Sequence, residues 1–264
     1  MMLKPALRPP LRAPMRGATT LREGGGVWTP AALGSKLLAW WNADRADLIT
    51  LSGNQVTSWR DAVAGYDLAQ AVAGARPIYS ATGFNGFPAI TFVVAEADEL
   101  TLAPSPLPSG AVPCEVWSVA QQNALVGDTA SRAFISWGNT TAGRRRQVGR
   151  AVTGGLIHAR AIGGTGAANV TLDGTNVTLN SRHVIRTRFA AELLSMWVDG
   201  ISEGAVAMAL GGTATDRVRV GSSPGAAASN SWDGPGREIL VTDLTLTPGE
   251  VAALDAYTLS RRAL

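Results

Sequence analysis

One cysteine, two histidines and a low share of charge mark what this 264-residue chain does without. With Cys114 alone, no intrachain disulfide framework can form, which excludes a small scaffold stapled by bridges and fits folding in a reducing cytoplasm. His158 and His183 have no partner at metal-ligand spacing, so no metal and no cofactor are expected. No apolar run approaches a membrane span, so no membrane insertion is expected. The N-terminus has basic residues but lacks an apolar core segment, so it does not read as a secretory signal. No internal repeat is evident, which argues against solenoids and propellers.

What the chain has is 46% hydrophobic residues, 30 glycines and 14 prolines against only 16% charged residues. That is a composition of many short strands and many turns around a sizeable core. The net charge of +3 is unevenly placed: residues 1–26 hold Lys4, Arg8, Arg12, Arg16 and Arg22 against Glu23, and the rest is close to neutral. A nucleic-acid partner is therefore not expected, because the basic surface would lie in the fold.

Two regions follow. Residues 1–26 read as an extended Pro/Arg-rich arm: Pro5, Pro9, Pro10 and Pro14 block helix, and Gly24-Gly25-Gly26 makes a hinge. The arm is either a loose tail or an anchor. In the anchor reading, Arg8, Pro9, Pro10, Arg12 and Arg16 lie along a groove of a partner subunit or larger assembly. Residues 27–264 read as one β-sandwich.

The stretch from Val184 to Gly200 carries the strand signal. Ile185, Thr187 and Phe189 alternate with Val184, Arg186 and Arg188, and Leu194, Met196 and Val198 alternate with Leu193, Ser195 and Trp197. Asp199-Gly200 supplies a two-residue hairpin turn into a third strand from Ile201. Val116, Ser118 and Ala120 alternate with Glu115, Trp117 and Val119; both sets carry apolar residues, which predicts a central strand. Thr247-Pro248-Gly249-Glu250 offers a capping box, and Val251, Leu254, Tyr257 and Thr258 follow at helical spacing, which predicts a helix from Pro248 to about Ser260. Thr29-Pro30 opens a second, shorter helix over Ala31 to Leu38.

Trp40-Trp41, beside Leu37, Leu38 and Ala39, fits core packing better than a carbohydrate platform. Arg144-Arg145-Arg146 reads as a loop, either a solvated turn or a contact for an acidic polysaccharide or another subunit. Gly163-Gly164-Thr165-Gly166 lacks the Lys that completes a phosphate loop and reads as a hairpin loop.

Four groups of residues together resemble a known superfamily. They are Leu38 to Asp44 with Val56 to Asp61; Arg76-Pro77 with Asn85 to Phe92; the Trp197-Val198-Asp199-Gly200 hairpin; and Trp232-Asp233-Gly234 with the Glu238 to Asp243 strand and its capped helix. In this order they resemble the concanavalin A-like lectin/glucanase jelly rolls, and among them the laminin-G-like modules of bacteriophage and phage-like virion proteins. The resemblance implies an all-β fold: a two-sheet antiparallel jelly-roll sandwich, here with an extended N-terminal arm and a short C-terminal helix. It departs from the pattern at Phe92-Val93-Val94-Ala95-Glu96, where an Asp-Gly turn would be expected.

Catalytic members of the superfamily are similar in carrying a Glu-x-Asp-x-Glu strand, which aligns carboxylates for retaining hydrolysis. This chain has none; Glu115 and Glu238 are single acids in apolar strands. The expectation is therefore no enzyme and no catalytic residue, but a virion structural protein: a head spike, fibre or tail component. It would be made in the bacterial cytoplasm and displayed on the virion surface. The arm would dock to other virion proteins, the sandwich would bind host cell-surface polysaccharide, and the chain would form a homo-oligomer, by analogy a trimer. The alternatives are a glycoside hydrolase of the same fold or a stand-alone lectin-like adhesin. Sugar-binding candidates are Trp232 and Asp233, by their polar neighbours, and Arg144, Arg145 and Arg146. Laminin-G-like modules bind calcium through rim oxygens; Asp199 and Asp233 are placed for this but fit turn roles better.

Overall fold

A computed structural model describes residues 28–123, 131–138, 145–153, 156–163, 170–175, 178–208, 217–223 and 231–263. The arm, with Arg8, Pro9, Pro10, Arg12 and Arg16, lies outside the described residues, as do Arg144 and residues 164–169.

A 3-10 helix, Pro30–Lys36, opens the described chain; Thr29 provides no side-chain cap, so only the proline part of that expectation holds. Strands then follow as β1 (Leu37–Asn42), β2 (Ile49–Ser52), β3 (Gln55–Arg60), β4 (Asp67–Ala69), β5 (Ile78–Phe84), β6 (Phe87–Phe92), β7 (Leu100–Leu102) and β8 (Cys114–Gln121). After them come β9 (Arg132–Gly138), β10 (Arg145–Thr153), β11 (Leu156–Gly163), β12 (Val170–Gly174), β13 (Arg182–Phe189), β14 (Leu193–Val198), β15 (Ile201–Ala207), β16 (Arg217–Val220) and β17 (Gly234–Thr242). Helix α1 (Pro248–Ala263) closes the chain.

Every ladder between these strands is antiparallel, and the ladders fold into two layers. The first runs β5-β6-β17-β8-β13-β14-β15, with β1 continuing along the β17 edge that β6 begins. The second runs β2-β3-β4-β7-β16-β9-β10-β11-β12. A single pairing of Gln55 with Ile78 joins them at one end. This is the all-β antiparallel sandwich that the alternation predicts.

Between the layers lies the main core. Val116, Ile185, Met196 and Val241 come from the first sheet, and Leu100, Ile135, Trp137, Val148 and Val220 from the second. Burying this apolar surface is the main force that holds the sheets together. A second cluster covers the other face of the first sheet: Trp117, Val119, Val184 and Leu240 pack under Leu33, Leu37 and Leu254, with Trp40 and Tyr257 partly buried beside them. β8 thus has both faces buried, as its two apolar sets predict.

Local signals hold where they are chemically complete. At the β14–β15 turn Asp199 and Gly200 have φ of 54° and 80°, the positive values of a two-residue hairpin. Thr247 and Glu250 form the capping box: the Thr247 N–H donates to Glu250 Oε2 at 2.6 Å, and the Glu250 N–H donates to Thr247 Oγ1 at 3.3 Å. At the departure after Phe92, Val94–Glu96 make a 3-10 turn, Ala97 takes φ 56°, and buried Asp98 accepts the Val93 N–H.

Polar ties fasten α1 to the first sheet. Asp255 accepts from the Trp117 indole and pairs with Arg186, which also pairs with Glu115. Glu238, fully buried, accepts from Tyr257 and Trp40 and pairs with Arg261. The two single acids of apolar strands, Glu115 and Glu238, are therefore anchors beneath the helix.

Candidate functional site

With the first sheet covered by α1, the side of the second sheet turned away from the core is the other one to consider, although its Ser136, Gly138, Gln147 and Gly149 are themselves buried. Its composition follows from register, because directly paired residues of an antiparallel ladder share a face. Val148, Ile135, Val220 and Leu100 form one such row and belong to the core. Their chain neighbours Gln147, Ser136, Arg219 and Thr101 form the next row and point outward. Beside it Arg217, Gly138 and Arg145 make a second outward row. Gly149, Arg160 and Asp173 make a third.

Among the described residues this face carries Arg145, Arg160, Arg217 and Arg219, with Asp173 and Glu99 as acids and the buried Ile162 paired with Gln147. Arg160 is forked onto Asp173, with Nε–Oδ1 and Nη2–Oδ2 both 2.6 Å. Arg219 Nε lies 3.9 Å from Glu99 Oε2, which also accepts the Ser222 hydroxyl. The Ser222 carbonyl in turn accepts Ser136 Oγ at 2.8 Å. Between Arg145 and Arg217 the only β9 residue is Gly138, at φ 100°, so no side chain of that strand stands between them. Two strand spacings put their backbones about 10 Å apart.

Among the polar atoms buried here with no hydrogen-bond partner among the described residues are Arg145 Nε and Gln147 Oε1, with Arg217 Nε and Arg219 Nη1 beside them. Gln147 is only 2% exposed. An unmet buried donor or acceptor costs about 1–3 kcal/mol, which a ligand group can recover. Burial, reinforced by the nearby Arg160 charge, lowers the Arg145 pKa from its ordinary value. Chemically, the face offers forked donors for oxyanions and hydroxyls, and an amide acceptor for a hydroxyl.

The sequence-based candidates fall in different places. Arg145 is on this face, but the expected arginine loop is corrected: Arg145 and Arg146 begin strand β10. Arg146 points inward and is fully buried. Its guanidinium donates to the carbonyls of Gly110 and Val112 and lies against Trp137 and Phe189. Trp232 is also corrected: it is 2% exposed, packs on Phe134 with ring centroids 5.3 Å apart, and donates its indole N–H to the Gln121 carbonyl. Its faces are not open to a sugar ring. Asp233 Oδ1 accepts the Val94 N–H, and Asp199 accepts the Val184 N–H and pairs with His183 and Arg262, so both serve turns. No cluster of three or more metal-ligating side chains occurs among the described residues.

Missed from the sequence were Gln147, Arg160, Arg217 and Arg219. The signal for two of them was present: in Arg217-Val218-Arg219-Val220 the strict alternation puts both arginines on one face.

No protein-family model and no curated protein matches the chain. Solved structures do match in fold. Domain 4 of AbnA, a GH43 extracellular arabinanase from Geobacillus stearothermophilus in complex with arabinotriose, aligns with TM-score 0.55 and 13% identity over 83% of this chain and 98% of that one. Trypanosoma rangeli sialidase in complex with sialic acid aligns with TM-score 0.51 and 13% identity over 86% of this chain and 33% of that one. Full-length tailspike protein 2 from Escherichia coli O157:H7 bacteriophage CAB120 aligns with TM-score 0.52 and 10% identity over 82% of this chain and 29% of that one.

The chain thus shares a β-sandwich fold with parts of these proteins, and it spans about a third or less of the sialidase and the tailspike. The expectation of a chain outside enzymes is corrected here. The same fold occurs within an arabinanase and a sialidase, so lacking a Glu-x-Asp-x-Glu strand does not separate this chain from glycan-cleaving proteins.

Proposed function

We propose that this chain is a carbohydrate-recognition sandwich that binds glycan on the outward face of its second sheet. The observation that carries the reading is that the side of the second sheet away from the core holds polar atoms with no partner among the described residues, among them the donor Arg145 Nε and the acceptor Gln147 Oε1. Sugar hydroxyls are both donors and acceptors, and they complement this mixture of amide and guanidinium groups. The arabinotriose complex of one neighbour and the sialic acid complex of another support carbohydrate as the ligand class.

The wider placement belongs to the same proposal. The tailspike neighbour supports a virion component displayed on the particle surface, with residues 1–26 docking it to other virion proteins and the sandwich facing host polysaccharide. A trimer is the assembly proposed, by analogy.

A glycan array followed by calorimetry on the full chain tests the binding, and product analysis of the same mixtures reports whether bound glycan is cleaved. Binding that is weakened by Gln147→Ala, with the thermal midpoint retained, supports the assigned face. Binding unchanged by Gln147→Ala, or no binding to any glycan on the array, overturns it. Electron microscopy of particles carrying a tagged chain, with and without residues 1–26, tests the docking.

A further inference from the structure

We propose that His183 is a pH-operated latch: its neutral ring holds the Thr178 amide, in the connection that crosses from the second sheet to the first, and its protonated ring lets that amide go. The latch does not depend on what the sandwich binds.

The partners of the ring fix its tautomer. His183 is 8% exposed and is the second residue of β13. Its Nδ1 lies 2.8 Å from Asp199 Oδ2 at the β14–β15 turn. Its Nε2 accepts the Thr178 N–H, with the two nitrogens 3.1 Å apart. A carboxylate only accepts and an amide N–H only donates, so Nδ1 carries the proton and Nε2 offers its lone pair. Only the neutral imidazole satisfies both partners at once.

Asp199 stays ionised through the range of about pH 5 to 8 in which an imidazole changes charge. Burial pushes its carboxyl up, but the bonds from His183 and the Val184 N–H, with the charges of His183 and Arg262, hold it below its ordinary value. The Val184 N–H donates to Oδ1 at 2.9 Å, and Arg262 of α1 lies 2.7 Å from Oδ2. A proton taken up by the cluster therefore goes to His183 Nε2. There it meets the Thr178 N–H donor to donor, while the Thr178 carbonyl at 3.2 Å and hydroxyl at 3.4 Å can accept it. The Thr178 peptide thus exchanges roles: its carbonyl gains a bond, and its N–H, on an exposed residue, turns to water. On the other side the imidazolium gains an ion pair with Asp199, so the hairpin side tightens as the Thr178 side loosens.

Charge reaches the ring from Asp199 on the hairpin and, through it, from Arg262 on α1. β8 sets the uncharged Ala120 opposite His183, and Arg182, beside it in the chain, lies over the Phe84 ring at 5.8 Å. Two residues beyond Thr178, the Asn180 N–H donates to the Gln122 carbonyl at 2.8 Å, a bond between uncharged groups. The connection is thus tied at both points, and protonation of His183 acts on the first.

Nuclear magnetic resonance on the full isotope-labelled chain, titrated from about pH 8 to about pH 5, reads the latch. At the upper end the His183 ring should show a protonated Nδ1 and a bare Nε2. On acidification the Thr178 amide should move with the His183 ring, at one shared midpoint, while the Asn180 amide holds its position. Protection of the Thr178 amide from hydrogen exchange, corrected for the intrinsic pH dependence, should fall about three- to tenfold. His158, the other histidine of the chain, is the control. His158→Gln should keep the Thr178 response, and His183→Gln, whose amide oxygen accepts at every pH, should abolish it. A neutral ring protonated at Nε2, a Thr178 amide that ignores the His183 titration, or a response kept in His183→Gln overturns the proposal. If His183→Gln fails to fold, the tautomer and the shared midpoint in the unaltered chain decide alone.

Discussion

The Arg146 guanidinium donates to Cys114 Sγ at 3.1 Å, inside the core and against the rings of Trp137 and Phe189. This fully buried cation is held in part because its Nη2 reaches the Gly110 carbonyl at 3.1 Å and the Val112 carbonyl at 2.8 Å, while its Nε has no partner among the described residues. It ties the segment before β8 to β10 across the sandwich. Replacing it leaves two carbonyls unmet and removes two cation–π contacts. Arg146→Ala should cost about 3 kcal/mol in urea denaturation, and Arg146→Met should recover the packing but not the carbonyl bonds. An Arg146→Ala midpoint equal to that of the unaltered chain would sink this account.

The same contact governs the thiol. Burial pushes the Cys114 thiol up from its ordinary value, and the Arg146 charge opposes this without overcoming it. The thiolate is the reactive form, so a buried, protonated thiol is inert. Native protein at pH 8 should take up almost no aromatic disulfide reagent, and one equivalent should react in denaturant. Rapid labelling of the native chain would show that Cys114 is reached by local opening.

How much of this was readable from the chain depends on range. The Asp199-Gly200 turn and the Thr247–Glu250 box were legible because a few adjacent residues supply the whole of their chemistry. The double burial of β8 was legible because period two exposes both faces to inspection. Arg144-Arg145-Arg146 was misread because three like residues in a row conceal alternation, and the partners of Arg146 lie more than thirty residues away. Trp232 was misread because its neighbours in the chain are polar while its neighbours in space are Phe134 and Gln121. The candidate face was hidden for the same reason. Arg145, Arg160, Arg217 and Arg219 come together only when β9 pairs with both β10 and β16, and no local pattern encodes that pairing.

Glu250 makes the start of α1 sensitive to acid. The Lys36 ammonium, then the Thr247 N–H, hold its carboxyl down at about 2, from an ordinary 4.5. A folded pKa below the unfolded one gives stability that is present above the unfolded value and lost as pH falls through the folded one. The contribution should therefore fade between about pH 4.5 and pH 2. Glu250→Gln should flatten the stability profile in that window, and Lys36→Met should raise the Glu250 pKa in a carboxyl NMR titration. A Glu250 titration unchanged by Lys36→Met would show that the ion pair has no role.

Asp98 works in the opposite direction. Burial raises its pKa to about 6, with Glu96 and Asp233 adding to the rise and the Val93 N–H opposing it. Its Oδ2 accepts that N–H at 2.9 Å, while its Oδ1 has no partner among the described residues. A folded pKa above the unfolded 3.8 means that the stabilising form is the protonated one. That stability is full below about pH 3.8 and is lost as pH rises through about 6. Asp98→Asn keeps an oxygen for the Val93 N–H and removes the buried charge at every pH. The variant should therefore gain on the unaltered chain between pH 4 and pH 6, reach an advantage of up to about 2 kcal/mol at pH 8, and lose it in more acid solution. Parallel stability profiles for the two proteins across that range would mean that Asp98 titrates as an ordinary carboxyl, and that the turn after β6 does not strain against its charge.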